Sequence, residues 1–261
     1  VTVQIKSLTA GYGKHPVLHG INMQIGGGKL CALLGHNGSG KTTLMRCINA
    51  VLKPLEGKVV VMNKDVAMLS RVQIAKIVSF VPQSSHTAFS FSCLEMILMG
   101  GVSRMKMWSA PSRQDRQKAW QICEEVGIAD FVLASFNQLS GGQKQLVMLA
   151  RALYQDAPVM LLDEPNSHLD FGNQHKIMSL VQHIVKQRGF TALITLHDPN
   201  LALNYCDEVI MLKQGHIIAS GPTELTLNDV NLQGTFGDNI KIDTTSSGVQ
   251  VVVPRYLSQY T

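Results

Sequence analysis

Gly35-His36-Asn37-Gly38-Ser39-Gly40-Lys41-Thr42-Thr43 is the stretch from which the rest of this sequence is read. It satisfies G-x-x-x-x-G-K-[ST], and it follows an apolar run, Leu30–Leu34, that reads as a buried strand and opens a helix predicted over residues 41–51. Glycines at these spacings let the backbone curl into a concave nest, so that successive N–H groups and a helix N-terminus face one anion. Lys41 adds a mobile positive charge for the outer phosphates of a nucleotide, the Thr42 hydroxyl suits a Mg²⁺ shell, and Thr43 can reach the innermost phosphate.

A phosphate loop alone specifies no reaction. Further along, Val159-Met160-Leu161-Leu162 reads as an apolar strand that ends in Asp163 and Glu164. A strand buried on both faces delivers such residues rigidly at its C-terminal end, where open α/β sheets bind ligands. Asp163 is therefore a candidate for holding Mg²⁺, directly or through a water, and Glu164 for polarising an attacking water. Asn63-Lys64-Asp65 looks like the guanine-reading N-K-x-D but fails it, because position 66 is Val and the segment comes too soon after the phosphate loop. It reads as a turn after a strand.

Other strands are expected over residues 58–62, 77–81, Thr191–Leu196 and 208–212, with helical stretches between them. That alternation is the pattern of an α/β protein with a mainly parallel sheet. Between Pro82 and Leu139 no strand pattern stands out, and helices are expected over residues 93–99, Arg113–Val126 and 129–136. This is read as a helical subdomain, about residues 84–155, inserted in a domain spanning 1–237. Ser246-Ser247-Gly248 predicts a turn before a last strand over residues 249–253, within a short C-terminal extension at 238–261.

Composition sets the outer limits. Of 261 residues, 45% are hydrophobic and 16% charged, which excludes an extended disordered chain and permits a sizeable core. No apolar run reaches the roughly 18 to 20 residues of a membrane-spanning helix. Residues 1–6 alternate like a strand and lack the basic and apolar regions of a secretory signal, so export is not expected. Five widely spaced cysteines without a C-x-x-C pair indicate neither a disulfide framework nor a zinc site, and a reducing compartment fits them. The formal charge of +5 first suggests an anionic partner. Arg104, Lys106, Arg113, Arg116 and Lys118 against Asp115 nevertheless concentrate most of it in the helical insert, so it reads as a solvated face and no nucleic acid is expected.

Leu139-Ser140-Gly141-Gly142-Gln143, 20 residues before Asp163, completes the set. Locally, Ser140 and Gln143 form a capping-box pattern at the start of a helix carrying Leu146, Leu149, Ala150 and Leu153 on one face. Together with the two phosphate-site motifs, the pentapeptide makes the chain resemble an ABC transporter ATPase subunit. That resemblance runs from about Val3 to Gly237 and implies a P-loop NTPase fold with an N-terminal antiparallel β portion. It implies ATP and Mg²⁺ as ligands, with Tyr12 stacking on adenine, residues 35–43 holding the phosphates and Ser140, Gly141, Gly142 and Gln143 meeting the ATP of a second subunit. Gln83, after the strand over 77–81, would join Thr42 and Asp163 on Mg²⁺. His197, after Thr191–Leu196, would hydrogen-bond the outermost phosphate and orient Glu164, with Lys41 completing the catalytic set. Ser167-His168-Leu169-Asp170 resembles the family's D-loop and would bring Asp170 to the nucleotide interface, with His168 where alanine is usual and Asn166 where threonine is usual.

The partners that the resemblance implies are a second copy of the chain in a head-to-tail homodimer, an integral-membrane permease and, indirectly, a substrate-binding protein. The place implied is the cytoplasmic face of the inner membrane. Phe89-Ser90-Phe91-Ser92-Cys93-Leu94-Glu95-Met96-Ile97-Leu98-Met99-Gly100 and the residues after Gly221 resemble importer ATPases serving iron-siderophore, haem and cobalamin uptake. An exporter ATPase and a soluble ATPase acting on nucleic acid or ribosomes are the alternatives. The short helical insert and the single cassette weigh against the soluble ATPase, and the lack of fused membrane helices in this sequence weighs against the exporter.

Overall fold

The phosphate-loop strand is the axis about which the chain is arranged. A computed structural model describes residues 1–85, 87–104, 110–167 and 169–255. The chain begins with β1 (Val3–Tyr12), β2 (His15–Ile25) and β3 (Leu30–Leu34), followed by α1 (Lys41–Ile48), β4 (Glu56–Val61), β5 (Lys64–Asp65), α2 (Arg71–Ala75) and β6 (Val78–Val81). The insert contributes α3 (Cys93–Leu98), α4 (Arg113–Val126) and α5 (Gly141–Gln155). Then come β7 (Val159–Leu162), α6 (Phe171–Arg188), β8 (Thr191–Leu196), α7 (Pro199–Tyr205), β9 (Glu208–Lys213) and β10 (His216–Pro222). The chain closes with α8 (Thr223–Thr226), α9 (Asp229–Phe236), β11 (Ile240–Thr244) and β12 (Gln250–Pro254).

The main sheet has the order β10-β9-β3-β8-β7-β6, parallel throughout except for the edge strand β10. A second, antiparallel sheet, β2-β1-β4-β5, covers one face of the first. The strands obey the two-residue period even though both faces are buried. Leu30, Ala32 and Leu34 face the core shared with α3 to α7, while Cys31 and Leu33 face α1 and the antiparallel sheet. Each fully buried aliphatic side chain contributes about 1.5–3 kcal/mol relative to exposure, so these paired faces fix the register of β3.

The insert shares that core. Cys93, Ile97, Ala119, Ile122, Val147 and Leu149 belong to one apolar cluster with Met160, Leu162 and Ile194 of the sheet. Serine capping boxes start all three of its helices, at Ser92–Glu95, Ser112–Asp115 and Ser140–Gln143, the last as the sequence predicts. Two of its basic side chains are engaged at the C-terminal end of α5: Arg104 donates to the carbonyls of Tyr154 and Gln155, and Lys118 pairs with Asp156 at 3.0 Å. Cations complement the unpaired carbonyls of a helix C-terminus, so this part of the charge is structural rather than simply solvated. Lys106 lies outside the described residues.

The structure departs from the sequence reading in places. Residues 129–136 form no α-helix: two 3₁₀ turns, Ala129–Phe131 and Phe136–Gln138, flank a turn over residues 132–134 and an extended Ser135. The carbonyls of Val132 and Ala134 accept from Leu94 and Cys93, and the Phe136 N–H donates to Phe91, so backbone groups that a helix would consume internally are spent on the start of α3. The helix at 41–51 stops at Ile48, because Ala50 adopts a left-handed φ of 53°. Met62 and Asn63, at φ 50° and 61°, make a two-residue hairpin turn between β4 and β5, so the turn read at residues 63–65 falls one residue earlier and Lys64 and Asp65 are a strand. The last strand is β12, paired with β11 in a separate hairpin.

Candidate nucleotide site

The C-terminal ends of β3, β6, β7 and β8 lie side by side, and each carries part of the site. After β3 the chain must turn at once, and glycine is required at two points. A Cβ on Gly35 would lie 2.2 Å from the Leu212 carbonyl oxygen, and Gly40 holds φ 109° with Leu18 2.7 Å from where its Cβ would stand. Lys41 is buried and folds back over this loop, donating to the carbonyls of Gly35 (2.7 Å) and His36 (3.1 Å). Burial pulls its ammonium below the usual lysine range, opposed by the nearby carboxylates of Glu164 and Asp163. Ser39 and Thr43 are buried, whereas His36, Asn37, Gly38 and Thr42 are exposed.

The carboxylates at the end of β7 are differently held. Asp163 is 7% exposed and accepts from the Thr195 hydroxyl at 2.9 Å; among the described residues its second oxygen makes no hydrogen bond. Glu164 sits at a left-handed φ of 48°. One of its oxygens accepts from the Gln83 amide at 2.7 Å, and the other lies 2.6 Å from Nε2 of His197. The four strand ends therefore converge on Glu164 and the loop beside it. Hard oxygen donors, a free carboxylate oxygen on Asp163 and the exposed hydroxyl of Thr42, fit Mg²⁺, which keeps several waters and shares nucleotide phosphates. Gln83, expected beside Thr42 on that ion, donates its amide N–H to Glu164, which leaves its carbonyl oxygen Oε1 as a further hard donor.

The remaining expected residues lie around this centre. Tyr12 ends β1 and is 46% exposed; its hydroxyl accepts from Arg46, whose guanidinium carbon stands 5.9 Å from the ring centre. Ser140 and Gln143 bond each other at the start of α5, and Gly141 is exposed there. A Cβ on Gly142 would lie 3.3 Å from Leu169, so this helix start abuts the segment that follows β7. Asp170 is the N-cap of α6: its oxygens accept from the Asn173 backbone (2.9 Å) and side-chain amide (2.6 Å), and these bonds hold its carboxyl below the usual range. His168 lies outside the described residues.

Three contacts at the site escape sequence reasoning. Thr195 is an isolated hydroxyl in the apolar run of β8, and its presence there is the one available signal. Asn137 ties the loop after Gln83 to the loop before Ser140, through Thr87 and the carbonyl of Phe89. Phe236, at the end of α9, packs edge-on against His36 of the phosphate loop at 5.2 Å.

A phosphate loop between strand and helix, with two carboxylates at the end of the next strand but one, defines a P-loop nucleoside triphosphatase. The sequence profile described as ABC transporter matches residues 18–167, and one described as AAA domain, putative AbiEii toxin, Type IV TA system overlaps it at 132–204. An uncharacterised ABC transporter ATP-binding protein of Methanocaldococcus jannaschii is 34% identical over 97% of each chain. A probable iron chelatin transport ATP-binding protein of Helicobacter pylori is 32% identical over 90% of this chain and 93% of its own. Among solved structures, a metal-chelate type ABC transporter in an inward-facing conformation superposes with a TM-score of 0.85 at 27% identity, covering 98% of this chain and 97% of the other. A dimeric ATP-binding cassette in a post-hydrolysis state with ADP and Pi gives 0.74 at 28% identity over 85% and 98%. The chain belongs to the ABC transporter family: it is an ATP-binding cassette, and its activity is ATP hydrolysis coupled to transport.

Proposed function

We propose that this chain is the ATPase subunit of an importer that takes up a metal chelate, such as an iron-siderophore, haem or cobalamin, through a partner permease. It works there as a head-to-tail homodimer at the cytoplasmic face of the membrane. Among the described residues no helix is long and apolar enough to cross a membrane, so the path for the cargo belongs to the partner. The names of the Helicobacter pylori relative and of the metal-chelate type transporter support the cargo class, and the dimeric cassette supports the homodimer.

The convergence of Gln83, His197 and the end of β7 on Glu164 carries the catalytic reading. Lys41 leaves the carbonyls of Gly35 and His36 for the outer phosphates of ATP, and the amides of residues 38–43 line the rest of the anion. Asp163 and Thr42, with the carbonyl oxygen of Gln83, would hold Mg²⁺, which would supply neutralising charge to the phosphates. Glu164 takes a proton from the attacking water while His197 fixes the carboxylate's direction, so catalysis rests on positioning and charge stabilisation. Ser140 to Gln143, exposed or half-buried at the start of α5, supply the second wall of the site to the partner copy.

Glu164→Gln tests this. The variant is expected to bind ATP and to run as a dimer in size-exclusion chromatography with ATP and Mg²⁺, with hydrolysis nearly abolished. Wild-type turnover would remove Glu164 from its role. Uptake of a radiolabelled iron chelate into proteoliposomes carrying the chain and its permease tests direction; extrusion would identify an exporter.

A further inference from the structure

Thr195 belongs to the ATPase machinery rather than to the core that surrounds it. We infer that it is a positioning residue that sets Asp163 and Glu164 at once, through its hydroxyl. The inference rests on the reading of those two carboxylates given above.

Strand β8, Thr-Ala-Leu-Ile-Thr-Leu, is buried along its whole length, and Thr195 has no exposure. An apolar strand in this place would be served as well by valine, which has the same branched shape and no hydroxyl to satisfy. The hydroxyl is satisfied in both directions. It accepts from the Glu164 N–H at 2.7 Å and donates to Asp163 Oδ1 at 2.9 Å. An amide can only donate and an ionised carboxylate can only accept, so the single hydroxyl proton has one possible direction.

Each bond has a consequence. The bond to Oδ1 restrains rotation of the Asp163 carboxylate and leaves its other oxygen, which makes no hydrogen bond among the described residues, available to a cation. The bond from the Glu164 N–H supports a residue whose left-handed φ of 48° is unfavourable for any side chain other than glycine. That backbone twist is what directs the Glu164 carboxylate to Gln83 and His197. The strand pairing explains why position 195 is suited to this. Thr195 pairs with Leu33 of β3, and its neighbour Ile194 pairs with Leu162 of β7, so Thr195 stands between the strands that carry the phosphate loop and the carboxylates. It also precedes His197 by two residues on the same rigid strand, so one element fixes all three groups.

The test compares Thr195→Val, Thr195→Ser and Glu164→Gln in the whole chain. Three quantities are measured: ATP affinity with Mg²⁺ and with chelator, steady-state kcat and KM, and the thermal midpoint. Thr195→Val is expected to bind ATP in chelator as the parent does, to lose part of the affinity gained on adding Mg²⁺, and to lose roughly 10- to 100-fold in kcat, the size of a lost buried hydrogen bond to a charged group. Thr195→Ser restores the hydroxyl and is expected to recover most of the kcat and of the Mg²⁺ effect.

An undiminished kcat in Thr195→Val beside an inactive Glu164→Gln overturns the inference while leaving the site reading intact. A serine variant as impaired as the valine variant also overturns it, because packing would then be the cause. If Thr195→Val does not fold, Thr195→Cys, close in volume but a weak donor, takes its place; full kcat there overturns the role. A fully active Glu164→Gln overturns the site reading, and this inference with it.

Discussion

Lys41 is held ready by the loop it serves. Its ammonium is stored on two backbone carbonyls of residues 35 and 36, while burial favours its neutral form and two carboxylates favour the charge. Removing the side chain leaves the nest of amides but takes away the one mobile cation in it. Lys41→Ala is expected to weaken ATP binding by about 10-fold or more, measured by fluorescence titration with a labelled nucleotide, with the fold intact by circular dichroism. Unchanged affinity would dismiss the phosphate-loop assignment. At this scale the sequence is legible wherever chemistry constrains the backbone: the glycines at 35 and 40 have no tolerated substitute, and the carboxylates stand at the end of a recognisable strand. Thr195 and Phe236 act through contacts between distant elements, and no local spacing announces them.

At the scale of elements, α5 has two duties that separate cleanly. Its capping box closes the helix on itself, with Ser140 accepting from the Gln143 N–H at 3.3 Å and Gln143 Oε1 from the Ser140 N–H at 3.0 Å. Ser140→Ala is expected to cost about 1 kcal/mol of stability by thermal or denaturant unfolding. ATPase turnover should fall much further than that loss explains, while ATP binding by the isolated subunit is kept. Loss of stability with full turnover would reduce Ser140 to a cap. The capping box of α5 is readable because serine, spacing and apolar face agree, and the long helix α4 lies where the sequence places it. The stretch 129–136 misleads because its composition suits a helix while its carbonyls are committed to the start of α3, a tertiary demand that outweighs local preference. The hairpin of β11 and β12 has a similar hidden tie: the Asn200 side chain clamps both backbone groups of Val252, fastening the hairpin to the helix just past His197.

For the whole molecule, the five cysteines give a direct check on the packing. All are buried and free, and burial raises every one of their thiols, Cys47 to about 12 and Cys123 to about 11. A raised thiol stays protonated at pH 8 and reacts slowly, so Ellman's reagent is expected to label none of them in the folded protein within minutes and all five in guanidinium. A fast-reacting thiol in the folded state would show a core more open than described.

The place of β3 in the main sheet also governs when the nucleotide site can come into being. Its neighbours are β8 and β9, joined through pairs such as Leu30 with Ala192 and Cys31 with Glu208. On a growing chain the phosphate loop precedes both strands that flank β3, so one edge of β3 stays bare until β8 has left the ribosome and the other until β9 has. Such long-range parallel pairing is slow and exposes aggregation-prone strand edges in the interval. A nascent chain halted before β9 would therefore carry the whole phosphate-binding motif and still lack a strand on one side of it, so ATP binding becomes a late event in the life of each molecule.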